Sequence, residues 1–160
     1  MSSEKTKCIV AVRIRGVIGA SQEIKDTLKM LNLKRNNHAV IVKNTPAYLG
    51  MLRKVQNYIT WGEPTQETVI SLIKKWGRLV GDKKITDEYA KKLGFKSVED
   101  LAKAVFEGKV DYNKLPDVKP FFRLHPPTKG FKGKIKKSYG MGGETGYRGR
   151  AINELIQRMI

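Results

Sequence analysis

The run CIVAVRIR at residues 8–15 constrains the fold more than any other stretch of the chain. Val10, Val12 and Ile14 alternate with Ile9, Ala11, Arg13 and Arg15, the two-residue period of a strand buried on one face. The first set is wholly apolar and points inward; the second starts apolar and ends in two arginines. A helix follows, with Ser21 as its N-cap and Ile24, Leu28 and Leu31 at helical spacing. HAVIVK (38–43) reads as a second strand. Thr45 caps a second helix that has Pro46 at its first position, where the missing N–H costs nothing, and Leu49, Leu52 and Val55 line one side. YITW (58–61), short, aromatic and β-branched, reads as a third strand. The order is β-α-β-α-β. Two amphipathic helices hide their apolar stripes by packing on one face of a sheet. The expectation is therefore a sheet whose arginine-bearing face is left free for a ligand.

Charge says what kind of ligand. The 160 residues carry 32 Lys+Arg against 15 Asp+Glu, a net of +17. Self-repulsion of that size is normally relieved by a polyanion. Residues 1–62 carry a net +8, 63–111 a net +1 and 112–160 a net +8. The two ends are expected to face the same polyanion, and the charge-balanced middle to face solvent or protein. One cysteine, Cys8, excludes an internal disulfide and fits a reducing compartment. No apolar run approaches the roughly 20 residues of a membrane span. The start, MSSEKTK, has no apolar stretch of signal-peptide type. A cytosolic chain with no membrane partner is expected.

The charge profile also suggests three parts: a β-α-β-α-β core over 1–62, a helical lobe over 63–111 and a basic extension over 112–160. In the lobe, Thr65 caps a helix in which Val69, Leu72, Ile73, Trp76, Leu79 and Val80 form one apolar stripe. Thr86 starts a short helix that Gly94 ends, and Ser97 starts another that stops at Gly108. Trp76 reads as core.

Residues 122–150, FRLHPPTKGFKGKIKKSYGMGGETGYRGR, change character. Glycines and a double proline exclude a helix, and the one strand expected lies near Phe121–Leu124. Glu144 is the single acid among Arg123, Lys129, Lys132, Lys134, Lys136, Lys137, Arg148 and Arg150, with Phe131, Tyr139 and Tyr147 threaded between them. Cations neutralise phosphates, aromatics stack on unpaired bases, and glycines let backbone approach closely. A tail of this kind that ordered only on binding would leave the free protein partly disordered over about 126–149. The closing helix, 151–159, carries Ile152, Leu155, Ile156 and Met159 to anchor it.

No catalytic constellation is assembled. His38 and His125, the only histidines, have no Cys or acid at metal-ligand spacing. GMGGETG lacks the last glycine of a dinucleotide fingerprint, and Gly16-Val-Ile-Gly19 lacks the Lys-Ser/Thr of a P-loop. No cofactor, metal or small-molecule substrate is expected. The candidate RNA contacts, on charge and position, are Arg13 and Arg15 on the sheet, Lys34 and Arg35 at the exit of the first helix, and Arg123, His125, Lys129, Lys132, Lys134, Lys136, Lys137, Tyr139, Arg148 and Arg150 in the tail.

Three stretches carry a family resemblance: RIRGVIG, TPAYLGMLRKVQNYITWGE and FRLHPPTKGFKGKIKKSYGMGGETGYRGRAINELI. They resemble the large-subunit ribosomal protein called L-thirty in bacteria and archaea and L-seven in eukaryotes. A lobe and tail beyond the core, with only a short N-terminal segment, match the archaeal pattern. The resemblance implies an α+β fold, a small three-stranded antiparallel sheet with strand one central and both helices on one face. It also implies a non-enzymatic structural constituent bound to large-subunit rRNA (23S-type) near the 5S RNA. The charge-balanced residues 63–111 are then left to face solvent or a neighbouring ribosomal protein. The competing expectations are an rRNA-processing or assembly factor, for which Glu144 and His125 are the only acid–base candidates in the tail, and a general DNA-binding protein.

Overall fold

A computed structural model describes residues 7–160; the segment before Lys7, most of the MSSEKTK start, lies outside the described residues. The N-terminal pattern forms as read. Strand β1 is Cys8–Arg13, helix α1 Gln22–Met30, β2 His38–Lys43, α2 Pro46–Lys54 and β3 Ile59–Gly62. The Ser21 and Thr45 hydroxyls accept from the backbone N–H of Ile24 and Tyr48, satisfying donors that a helix start otherwise leaves open. β1 lies between β2 and β3 and is antiparallel to both, with Val12 opposite Ala39 and Thr60.

The sheet does not stop at three strands. β4 (Phe122–Arg123) pairs with β2, β6 (Gly143–Tyr147) runs parallel to β3, and β5 (Lys134–Ser138) runs parallel to β6. The result is a mixed six-stranded sheet in the order β4-β2-β1-β3-β6-β5. The small antiparallel sheet is thus its centre rather than its whole. All three added strands come from the 122–150 tail, where only the one near 121–124 was expected. The glycines that spoil helical propensity are the ones that fit the strand there. A Cβ on Gly143 would sit 2.0 Å from the Lys137 carbonyl oxygen, and one on Gly62 1.9 Å from that of Gly149. Close backbone approach serves the protein's own strands.

Neither face of β1 is free. Ile9 and Ala11 pack with Val40, Val42, Ile59 and Trp61 beneath Leu28, Leu31, Leu52 and Val55 of α1 and α2. Val10, Val12 and Ile14 pack on the opposite side, against helices the local pattern did not place on the sheet. These are α3 (Gln66–Trp76), α4 (Asp87–Lys92), α5 (Val98–Phe106) and α6 (Ile152–Met159). The arginine-bearing face expected to be open is the one α1 and α2 cover. The wholly apolar face needed a second layer, and residues beyond 65 supply it. A strand sandwiched this way is apolar on both sides, which is why residues 8–12 contain no polar side chain larger than a thiol. Burial also pushes the Cys8 thiol up to about 12, so it is protonated and inert.

The lobe helices start at Thr65, Thr86 and Ser97, each of whose hydroxyls accepts from the backbone N–H three residues on. α3 ends sooner than its stripe suggests. Gly77 leaves the helix in an extended conformation, and Val80, 66% exposed, lies in a turn closed by a bridge between Arg78 and Lys84. α6 buries Ile152, Leu155, Ile156 and Met159 as its spacing implies. Asn153 ties its start to the head of α3, accepting from Thr65 N–H at 2.8 Å and donating to the Glu63 carbonyl at 3.2 Å.

Candidate nucleic-acid interface

Pairing of Arg13 with Ile59 and of His38 with Arg123 places the end of β1, the starts of β2 and β3 and the end of β4 at one end of the sheet. Arg13, Arg15, Lys34, Arg35 and Arg123 all belong to that end. They are not equivalent. Arg13 is 6% exposed, and its guanidinium donates to the carbonyls of Arg15 at 3.0 Å and Leu33 at 3.1 Å. It fixes the loop that presents Lys34 and Arg35, both exposed. Burial lowers the Arg13 pKa from its ordinary value. Arg15 is half-buried, lies 5.3 Å over the Tyr58 ring and donates to the Asn57 carbonyl. A groove of about 340 Å³ opens beside them, floored by Val17, Leu28 and Leu33 and rimmed by Arg13, Lys25, Lys29 and Lys34.

His38 sits in the same neighbourhood. Its pKa is lowered to about 4, first by burial and then by Arg123, Arg35 and Arg13 around it. The imidazole is neutral at pH 7 and stacks on Phe121 with the rings 4.9 Å apart. It leaves the charge at this end to the arginines and lysines.

The second basic surface is the β5 edge. Lys134, Lys136 and Lys137 are exposed along a strand with no neighbour on its outer side among the described residues. Tyr139, 41% exposed, follows at the strand's end. Arg148 does not project from this surface. It is 8% exposed, its Cζ lies 4.9 Å over the Tyr139 ring, and it donates to Thr60 and Glu144. Glu144 is buried too and accepts from Gly133 N–H at 2.7 Å. The acid considered as a catalytic candidate is thus engaged in holding β5 and β6 together.

The remaining tail residues divide further. His125 is exposed with its ring edge against Trp76, centroids 4.9 Å apart, and among the described residues no acid pairs with it. Lys132 pairs with Glu154 at 2.7 Å on the surface, while Lys129 and Arg150 are exposed. The 128–130 loop is gripped by Arg158, which donates to the carbonyls of Thr128 and Gly130. Sequence reasoning passed over Arg158, and only the fold brings α6 to that loop. Among the described residues no three of His, Cys, Asp and Glu converge to hold a metal ion, and no helix is long and apolar enough to cross a membrane.

Exposed cations at one end and one edge of a mixed sheet describe many proteins, so sequence comparison decides the family. The family described as ribosomal protein L30p/L7e matches residues 9–59, the β1–α1–β2–α2–β3 core. A protein named large ribosomal subunit protein uL30 from Methanopyrus kandleri is 48% identical over 149 residues, covering 92% of this chain and 100% of its own length. One of the same name from Caldivirga maquilingensis is 46% identical over 176 residues, 99% of this chain and 95% of its own. The chain belongs to this family. The L30 match to the core and the end-to-end similarity to archaeal uL30 proteins mean that lobe, tail and α6 are shared with those relatives, as in the Archaeoglobus fulgidus protein, 48% identical over 97% of its length.

Proposed function

We propose that this protein is a structural constituent of the large ribosomal subunit that binds and stabilises folded rRNA, with no catalytic activity of its own. The observation that carries the proposal is full-length similarity to large-subunit uL30 proteins, in which no half of the chain is left over for another activity. The charge distribution supports it: exposed lysines and arginines stand at the sheet end and along β5, and Glu144, the acid of the tail, is buried in its pair with Arg148. Recognition is by phosphate position and shape, because lysines on a strand edge carry little base information.

Within this function, Arg15, Lys34, Arg35 and Arg123 form one contact surface, and Lys134, Lys136, Lys137 and Tyr139 another. Arg13 and Arg148 act as positioning residues, the first for the Lys34–Arg35 loop and the second for the ring of Tyr139. Lys129, Lys132 and Arg150 extend the second surface, and His125, against Trp76, adds a contact on the β4 side. The three-part division remains a division of labour: core and extension toward rRNA of the 23S type, close to the 5S RNA, and the charge-balanced 63–111 lobe toward neighbouring ribosomal proteins. Surface pairs such as Lys74–Glu99 at 2.8 Å suit a lobe that is not repelled by other basic proteins. The test is competition. Purified protein is titrated with archaeal large-subunit rRNA in the presence of excess duplex DNA. Retention of rRNA binding is expected; equal displacement by DNA would favour a general DNA-binding protein.

A further inference from the structure

Beside the sheet-end surface, with which it shares Arg123, the turn after α3 meets the strand that closes the β4 edge of the sheet. A cavity of about 160 Å³ lies there, lined by Trp76, Arg78, Asp82, Lys119, Phe121 and Arg123. Three cations and one acid share it. The Arg78 Cζ lies 5.5 Å over the Trp76 ring, and the Arg123 Cζ 5.7 Å over Phe121. Stacking on an aromatic face orients a guanidinium plane. Arg78 Nη1 donates to the Lys75 and Gly77 carbonyls, each at 3.0 Å, which leaves the Nη2 edge for an anion. Between them, Lys119 pairs with Asp82 at 2.6 Å, while Arg123 reaches the same carboxylate only at 3.9 Å. Lys119 thus neutralises Asp82, whose carboxyl it holds below the usual range by hydrogen bond and charge. The two arginines are left in excess.

We propose that this cavity is a phosphate clamp for a backbone phosphodiester of the rRNA. Arg78 and Arg123 are the ligating pair, and the Lys119–Asp82 pair is the wall that sets their spacing. The inference rests on the rRNA-binding function proposed above and extends its sheet-end surface from Arg123 to Arg78, at the edge opposite β5. Because β4 and β5 are the two edge strands of a six-stranded sheet, the clamp and the β5 lysines lie roughly 24 Å apart at the ordinary spacing of neighbouring strands. The protein then straddles its RNA. Arg78 supplies a contact from the lobe, a segment whose near-zero net charge conceals it.

The volume is large enough for a phosphate with part of its ribose. The Phe121 ring is already stacked on by His38 and approached by Arg123.

Binding of the full-length protein to archaeal large-subunit rRNA, measured across a salt series, tests the clamp. Arg78→Gln combined with Lys119→Gln is expected to weaken binding about tenfold and to lower the slope of log affinity against log salt by about one. Arg78→Gln alone, which leaves the Lys119–Asp82 pair intact, is expected to lower the slope likewise, and Arg78→Lys to restore it. Wild-type affinity and slope in both Arg78→Gln variants would overturn the proposal. So would unchanged rRNA binding together with loss of the variants from assembled subunits, which would assign the cavity to a carboxylate of a neighbouring protein. A wild-type chain that showed no salt-dependent rRNA binding would instead bring down the function on which the clamp rests.

Discussion

Arg148 donates through Nη2 to the Glu144 carboxylate at 3.0 Å and to the Glu144 carbonyl at 2.6 Å, with both side chains almost wholly buried. Its Nε donates to Thr60 Oγ1 at 2.7 Å, and that hydroxyl in turn donates to the Gly146 carbonyl at 2.8 Å. The network joins β3 to β6, and through Glu144 and Gly133 it reaches the start of β5. A basic tail that could trail from the core is thereby built into the sheet, with its lysines on the outside.

Breaking that bracket should cost far more than breaking a surface pair. Glu144→Ala leaves the Arg148 charge buried without its carboxylate and the Gly133 N–H without its acceptor. A loss of about 3–5 kcal/mol in urea unfolding is expected. Lys132→Ala, which removes an exposed pair with Glu154, should cost less than about 1 kcal/mol. Equal effects would mean that the bracket is not what holds the tail.

Gly143→Ala places a Cβ 2.0 Å from the Lys137 carbonyl oxygen, so β5 and β6 must separate. Destabilisation of about 1–3 kcal/mol or more is expected by thermal or chemical unfolding. Gly140→Ala, where nothing lies within 4 Å of the new atom, should stay within about 0.5 kcal/mol of wild type.

His38 makes stability depend on pH. Its folded pKa of about 4 lies below the ordinary histidine value of about 6.5, so the unfolded chain binds its proton first as pH falls. The stability due to neutral His38 is complete above about pH 6.5 and is lost as pH drops through the window toward 4. A His38→Phe variant, which keeps the stacking on Phe121, should show a flatter loss between pH 6.5 and 4.5. The same slope in both proteins would contradict the assignment.

The β5 lysines should act on affinity without acting on stability. Replacing Lys134, Lys136 and Lys137 by Gln is expected to leave the unfolding midpoint unchanged. It should lower the salt slope of rRNA binding by about 2–3, one phosphate for each cation removed. A slope equal to wild type would place these lysines off the RNA.

Local signals in the chain were the most legible. Ser21, Thr45, Thr65, Thr86 and Ser97 mark helix starts because a hydroxyl reaching its own N–H three residues on needs nothing from the rest of the fold. The alternation in residues 8–14 separates the two faces of β1 correctly, but it carries no information on what covers each. That depended on helices more than fifty residues away in sequence. The β5–β6 pair was illegible for a related reason. Glycine lowers strand propensity in isolation, whereas at Gly62 and Gly143 a neighbouring carbonyl leaves room for nothing larger.

Charge located the basic surfaces but could not rank the arginines within them. Arg13 and Arg35 look alike as letters; one guanidinium is capped by Leu33 and Arg15 carbonyls and the other is in solvent. The clamp residues Arg78 and Lys119 were invisible because they lie 41 positions apart in the chain and come together only when Lys119 N–H bonds the Arg78 carbonyl at 2.9 Å.

Membership of the large subunit is the central claim, and a sucrose gradient tests it most directly. Archaeal cell lysate is fractionated at moderate and at high salt, and each fraction is probed for this chain. A structural rRNA-binding constituent migrates with the large subunit at moderate salt and is released, if at all, only at high salt. A pool that stays at the top of both gradients would contradict ribosomal membership and bring the processing or assembly factor to the front.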